Sequence, residues 1–247
     1  MMLVGLLVTG PIAAAEGVPA HLHGSAWLWL GLSGASNIVG LQLSYMAYRT
    51  GQVSLVVPIV STEGAVAALI SVLAGEAIGL GTGIALALAA AGVCFASVPA
   101  QGTSGAVGSP HARTVALALV AAIVFGLGLY STGRAAAVLP SAWVVLAARV
   151  VGSVALALPL LLRGGLRLTR RALPLVVVSG IAEVVGFFSY TLGTRHGIAV
   201  AAVLGSQFAA IAVAVAYFFF SERLTRLQLF GIITILVGVS LLSALSA

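Results

Sequence analysis

The sequence predicts an all-α polytopic membrane protein built from two inverted five-helix repeats, with the first helix of repeat one missing, so that nine helices are expected. Three observations predict it. The first is composition: 61% of the residues are hydrophobic and 6% are charged, whereas globular domains carry roughly 25% charged residues. The second is an internal repeat. SGASNIVGLQLSYMAYRTG, Ser33 to Gly51, returns as SGIAEVVGFFSYTLGTRHG, Ser179 to Gly197, so that Gly34 matches Gly180, Gly40 matches Gly186 and Arg49 matches Arg195. The same register pairs Glu76 with Glu222 and Gly92-Val93 with Gly238-Val239. The third is parity, because an odd number of spans per repeat turns the second copy over relative to the first.

The chain has no Lys and no Asp, so all 11 positive charges are Arg and all 5 acids are Glu. A net charge of +6 on a soluble protein would point to nucleic acid. Here the Arg residues fall between apolar runs, which is the pattern of cytoplasmic loops, and no nucleic-acid partner is expected. Cys94 is the lone cysteine, so no intrachain disulfide forms.

Along the chain, the first apolar run, Met1 to Ala15, is shorter than the roughly 17–25 residues of a spanning helix. It lacks a basic leader and contains Pro11, which argues against a signal peptide. The repeat places Met1 opposite Ala147, inside the later run Leu139 to Leu162, so the chain is expected to start partway through a helix. Thr114 to Ser131 has no counterpart in the first copy, and about one and a half helices are expected to be absent from the front. Spans are then expected at Ala26–Tyr48, Val53–Ala74 and Ile78–Val98, the second bent by Pro58. QGTSGAVGSP, Gln101 to Pro110, is the linker, which divides the chain into a first repeat at 1–100, a linker at 101–112 and a second repeat at 113–247. The second repeat is expected to hold Thr114–Ser131, Leu139–Leu162, Ala172–Leu192, Ile198–Phe220 and Leu227–Leu245.

Sorting the loops by charge puts Arg49, Arg113, Arg163, Arg167, Arg170, Arg171, Arg223 and Arg226 on one side and only Arg134 and Arg195 on the other. Positive loops stay in the cytoplasm, which would leave the C-terminus outside. The stretch from Gly197 through Glu222, Gln228, Gly231 and Gly238, echoed more loosely by Gly51, Glu76 and Gly92, resembles the EamA-like branch of the drug/metabolite transporter superfamily. The resemblance covers nearly the whole chain. It implies a secondary transporter of amino acids, metabolites or drugs, held in a bacterial inner or plasma membrane.

An ionisable side chain at mid-membrane costs at least ~2.5 kcal/mol on insertion scales and is a functional candidate by default. Glu63, Arg149 and Glu183 qualify. Glu183 occupies the repeat position of Asn37, so both copies put a polar group at one depth of a Gly-rich helix, with Ser44 and Tyr48 near one and Ser179 and Tyr190 near the other. Gln42, Ser61, Thr62, Ser206 and Gln207 add hydrogen-bonding groups. The expected substrate and coupling set is Asn37, Gln42, Glu63, Arg149, Glu183, Tyr190 and Gln207, lining a cavity for a small polar or zwitterionic solute. The alternative for the neutral polar residues is bonding between helices, at roughly 0.6 kcal/mol each. Arg149 is read equally as a counter-ion to one of the Glu residues. Burial disfavours the charged form of a carboxyl, so Glu63 or Glu183 is expected to carry a proton in exchange for substrate. Glu76 and Glu222 read as turn or packing residues.

His21 and His23 beside Glu16 are too few for a metal site, and no nucleotide, hydrolase or metalloprotease motif occurs, so no cofactor, metal or catalytic residue is expected. The reading is an exporter working by alternating access, with a small-molecule substrate, a lipid bilayer around it and one chain or a homodimer as the working unit. A polytopic membrane enzyme, a lipid-handling protein, or a fragment that needs a partner to act are the alternatives.

Overall fold

In hydrocarbon a backbone must satisfy its own N–H and C=O groups, and a helix does so within one segment. The computed structural model describes residues 2–17, 24–50, 53–96, 112–157, 162, 172–207 and 226–246, and every regular element among them is helical. In chain order these are α1 (Met2–Glu16), α2 (Gly24–Thr50), α3 (Val53–Val60), α4 (Glu63–Leu73), α5 (Leu80–Ala96), α6 (Ala112–Ala136), α7 (Ser141–Gly152), α8 (Leu173–Gly193), α9 (Ile198–Gly205) and α10 (Arg226–Ser246). A wide turn at Ser153–Ala157 extends α7, and a tight one at Thr194–His196 joins α8 to α9. By length and composition α6 and α8 are each able to cross a membrane. Phe218 to Phe220, Glu222 and most of the expected linker lie outside the described residues.

Two expected spans differ. Val53–Ala74 is not one helix: α3 ends and α4 begins around Ser61-Thr62. A proline removes the bond to a carbonyl one turn earlier, so Pro58 does not itself place this break. At the break the Thr62 N–H turns to Ile59 O at 3.2 Å, and its hydroxyl donates to the same carbonyl at 2.7 Å. A helix that continued would send that N–H to Pro58 O. Likewise α9 stops at Gly205 and turns at Ser206-Gln207, while Ile198–Phe220 was expected to run on. The register that carries 33 to 179 carries 61 to 207, so both copies interrupt the same helix at the same place.

Packing relies on small residues that let backbones approach. A Cβ on Gly238 would stand 2.8 Å from Ala89 N and 2.9 Å from Ala85 O, and one on Gly92 would stand 2.7 Å from Ile235 N and 2.8 Å from Gly231 O. These pairs are equivalent under the repeat, 85 to 231, 89 to 235 and 92 to 238. Phe95 meets Phe230 edge-on at 5.6 Å. As α5 ascends its partner descends, so α5 and α10 run antiparallel through a reciprocal contact. The pair α1 and α7 meets in the same way, Gly5 against Arg149 and Gly152 against Met2.

The long contact of α2 with α6 has no counterpart in the other copy. Along it Gly40 receives Phe125, Gly128 receives Ser36, and the Ser33 and Thr132 hydroxyls share a 2.6 Å hydrogen bond. On α8 the equivalents of Ser36 and Gly40 are Ala182 and Gly186, both exposed, and nothing lies within 4 Å of a Cβ built on Gly186.

Candidate functional site

The broken helix places a carboxylate. Glu63 is the first residue of α4, directly after the Ser61-Thr62 turn, where the positive end of a helix favours a negative side chain. Two glycines crowd other helices onto that point. A Cβ on Gly64 would overlap Ala202 O of α9, and one on Gly126 of α6 would stand 2.9 Å from Glu63 O. Glu63 therefore opens where α4, α6 and α9 converge.

From there a cavity of about 570 Å³ reaches between α2, α6 and α8. Asn37, Leu41, Ser44, Tyr45 and Tyr48 line it from α2 at helical spacing, Phe125, Gly128, Leu129 and Thr132 from α6, and Glu183, Gly186, Phe187 and Tyr190 from α8. Ser33, Val60, Glu63 and Gly205 complete the wall. The volume is within the roughly 300–1,000 Å³ of small-molecule sites.

Of the residues picked from the sequence, Asn37, Glu63, Glu183 and Tyr190 come together on this wall, with Ser44 and Tyr48 beside them. Gln42 does not: it is exposed, one residue off the α2 stripe and so turned about 100° away from it. Gln207 is half-buried at the end of α9, outside the wall, its Nε2 donating to Val203 O at 3.0 Å while its Oε1 has no partner. Ser206 is likewise turned to Val203 O, and Thr62 to Ile59 O. Tyr190 presents its ring to the cavity and donates its hydroxyl to Leu129 O at 2.7 Å, tying α8 to α6.

Arg149 stands behind the wall, 1% exposed, with Nη1 2.5 Å from Glu183 Oε1 and 3.3 Å from Met2 Sδ. Its guanidinium carbon lies 4.7 Å from the centre of the Phe187 ring. Its Nε and Nη2 have no hydrogen-bond partner. The two carboxyls of the cavity thus differ. Glu183 has a cation, and Glu63 has neither ion pair nor hydrogen bond among the described residues. Open acceptors remain at Asn37 Oδ1 and Glu183 Oε2, and the Ser44 hydroxyl is also without a partner.

Sequence reasoning passed over the α6 contribution, Phe125, Leu129 and Thr132, because α6 has no repeat partner and symmetry could not flag it. The ring of Phe187 was equally silent, since an aromatic in an apolar helix reads as packing. Among the described residues no three His, Cys, Asp or Glu side chains gather as a metal site requires.

Outside the cavity, Glu76 acts between the halves. Gly75, at φ +96°, closes α4 with Gly75 N on Val72 O and Glu76 N on Ser71 O, the turn in which glycine avoids a Cβ penalty. That turn delivers the Glu76 carboxylate to the start of α9, where both oxygens lie 3.3 Å from Ala199 N, and Ser71 donates to it from behind. Gly197, at φ +123°, leaves the room it needs.

A family model described as the EamA-like transporter family matches residues 112–244, more than half of the chain. A solved structure whose description reads "Crystal structure of protein" aligns over 99% of this chain and 86% of its own, with a TM-score of 0.75 at 15% sequence identity. A likeness at that identity shows the fold alone. No curated protein sequence matches the chain.

Proposed function

The chain belongs to the EamA-like transporter family, and from that premise we propose that its central cavity is the substrate site of an exporter working by alternating access. As a family member it is an integral membrane protein. The observation that carries the reading is the cavity itself, walled by elements of both repeats and reaching a helix break with an unpartnered carboxyl, Glu63. Secondary transporters place their sites in this way, at the repeat interface where helices are discontinuous. The reciprocal, antiparallel contact of α5 with α10 supports an inverted relation between the copies. Such a relation lets one half rock on the other about a fixed site.

Within this reading Glu63 carries the coupled proton, since it holds no counter-ion, and Glu183 with Arg149 forms the fixed side of the pocket. The loop 163–171 lies on the cytoplasmic side of a bacterial inner or plasma membrane. The test is solute accumulation in inverted membrane vesicles with and without an imposed pH gradient. Accumulation that follows the gradient and is lost in Glu63→Gln is expected. Failure of every solute in a metabolite screen to accumulate would overturn the transport reading, and gradient-independent accumulation would overturn the coupling. A cysteine placed at Arg167 that labels from outside intact cells would reverse the orientation.

A further inference from the structure

The unpartnered polar atoms of the cavity share one character: they accept hydrogen bonds. Asn37 Oδ1 and Glu183 Oε2 are buried with nothing bonded to them, and Glu63 has no partner among the described residues. The Ser44 hydroxyl, 4% exposed and also unbonded, can accept as well as donate. Buried polar atoms in folded proteins are nearly always satisfied, so orphans around a cavity mark where ligand atoms belong.

Charge narrows the ligand further. No Arg, Lys or His lines the cavity. Arg149 is committed to Glu183 and covered by the Phe187 ring. Since that pair cancels, the net charge facing the cavity is the carboxylate charge of Glu63. Around it stand the rings of Tyr45, Tyr48, Phe125, Phe187 and Tyr190, and a ring face attracts a cation within about 6 Å of its centre.

We propose that the cavity selects an organic ammonium, a monocation whose N–H donors meet Glu63, Asn37 and Glu183 and whose apolar body packs against the aromatic wall. The proposal rests on the transport reading above and names its substrate class. An ammonium supplies donors and no acceptor, which is the complement of this wall. An amino-acid zwitterion satisfies the same acceptors but must bury its own carboxylate where no cation meets it and two carboxyls already stand, an uncompensated desolvation. A carboxylate anion has that cost and no gain.

Three probes of one skeleton separate the classes: 2-phenylethylamine, phenylalanine and 3-phenylpropionate. Their binding to the full chain in detergent is measured by calorimetry, and their movement is measured in proteoliposomes against protein-free vesicles. The amine is expected to bind on the order of tenfold or more tightly than either of the others, and Glu63→Gln to weaken it by a similar factor. The probe series uses the native chain, so a variant that misfolds does not remove the test, and Glu63→Asp, which keeps the charge, should retain amine selectivity. Phenylalanine binding as tightly as the amine, or no binding by any of the three, overturns the ammonium assignment. If phenylalanine is bound and moved with Glu63→Gln unaffected, the charge class falls while the transport reading stands. Selective binding of the amine without protein-dependent movement supports the charge class and overturns the transport reading.

Discussion

Glu63 and Glu183 open into one cavity, but only Glu183 is held by a cation, Arg149, at 2.5 Å. Two carboxyls in one pocket with different counter-charges have different work to do. Glu183→Gln should keep the response of transport to a pH gradient, and Glu63→Gln should abolish it. Initial rates over a series of external pH values check this. An unchanged profile in both variants would remove proton carriage from these residues.

The same ion pair supports a stability prediction. Removing one partner of a fully buried pair costs about 3–5 kcal/mol because the other charge is stranded. The Glu183 side chain keeps 19% of its surface open to the cavity, so Arg149→Met should cost less, on the order of 2 kcal/mol. Adding Glu183→Gln to Arg149→Met should restore most of that loss, since no stranded charge remains. Thermal unfolding of the single and double variants in detergent checks the coupling. Additive losses would show that the two side chains do not act as a pair.

Gly92 and Gly238 give a second pair whose fates should match. A Cβ at either meets backbone of the opposite helix below 3 Å, and backbone cannot swing aside as a side-chain tip can. Gly92→Ala and Gly238→Ala should each cost about 1–3 kcal/mol through overpacking. Gly83→Ala on the same helix should be harmless, because nothing lies within 4 Å of its Cβ position. Melting temperatures of the three variants decide it. A large difference between Gly92→Ala and Gly238→Ala would contradict the reciprocity of the contact.

At the junction of the halves, Glu76 caps α9 through Ala199 N. Losing a cap acceptor costs roughly 1 kcal/mol. Glu76→Ala should speed hydrogen exchange at the first turn of α9, and Glu76→Gln, which keeps one acceptor oxygen, should do so less. Gly197→Ala should be worse than either, since φ of +123° and a Glu76 oxygen 2.6 Å from the new Cβ both oppose it. Equal exchange in the Ala and Gln variants would remove the carboxylate from the capping role.

Much of this was legible in the residues. The 146-residue register, 33 to 179, found the helices that touch reciprocally and the matched break at Ser61-Thr62 and Ser206-Gln207. Ionisable groups in apolar runs identified Glu63, Arg149 and Glu183 because a charge there has few innocent explanations. What the sequence could not show was orientation. Whether Gln42 or Leu41 faces the cavity depends on one step of 100° about the axis of α2, and both are flanked by apolar neighbours. The contribution of α6 was hidden for a different reason: its wall residues are Phe, Gly, Leu and Thr, the ordinary vocabulary of a membrane helix.

Gly40 and Gly186 are repeat partners with opposite surroundings, and this contrast tests what covers α8. A Cβ on Gly40 would stand 2.7 Å from the Phe125 ring, and a Cβ on Gly186 meets nothing within 4 Å. Gly40→Val should destabilise the bundle by about 1–3 kcal/mol, because α6 has no slack along α2. Gly186→Val should leave the stability of a single chain unchanged within about 0.5 kcal/mol, as expected of a position with free space around it. If a second copy covers this face in the working unit, the same variant should break that assembly, because a small-residue face admits a helix only while it stays small. Light scattering of the detergent-solubilised protein reads the assembly and thermal unfolding reads the chain. Loss of the dimer with an unchanged melting temperature would place α8 at the interface between copies; loss of chain stability would show that α8 is already covered from within.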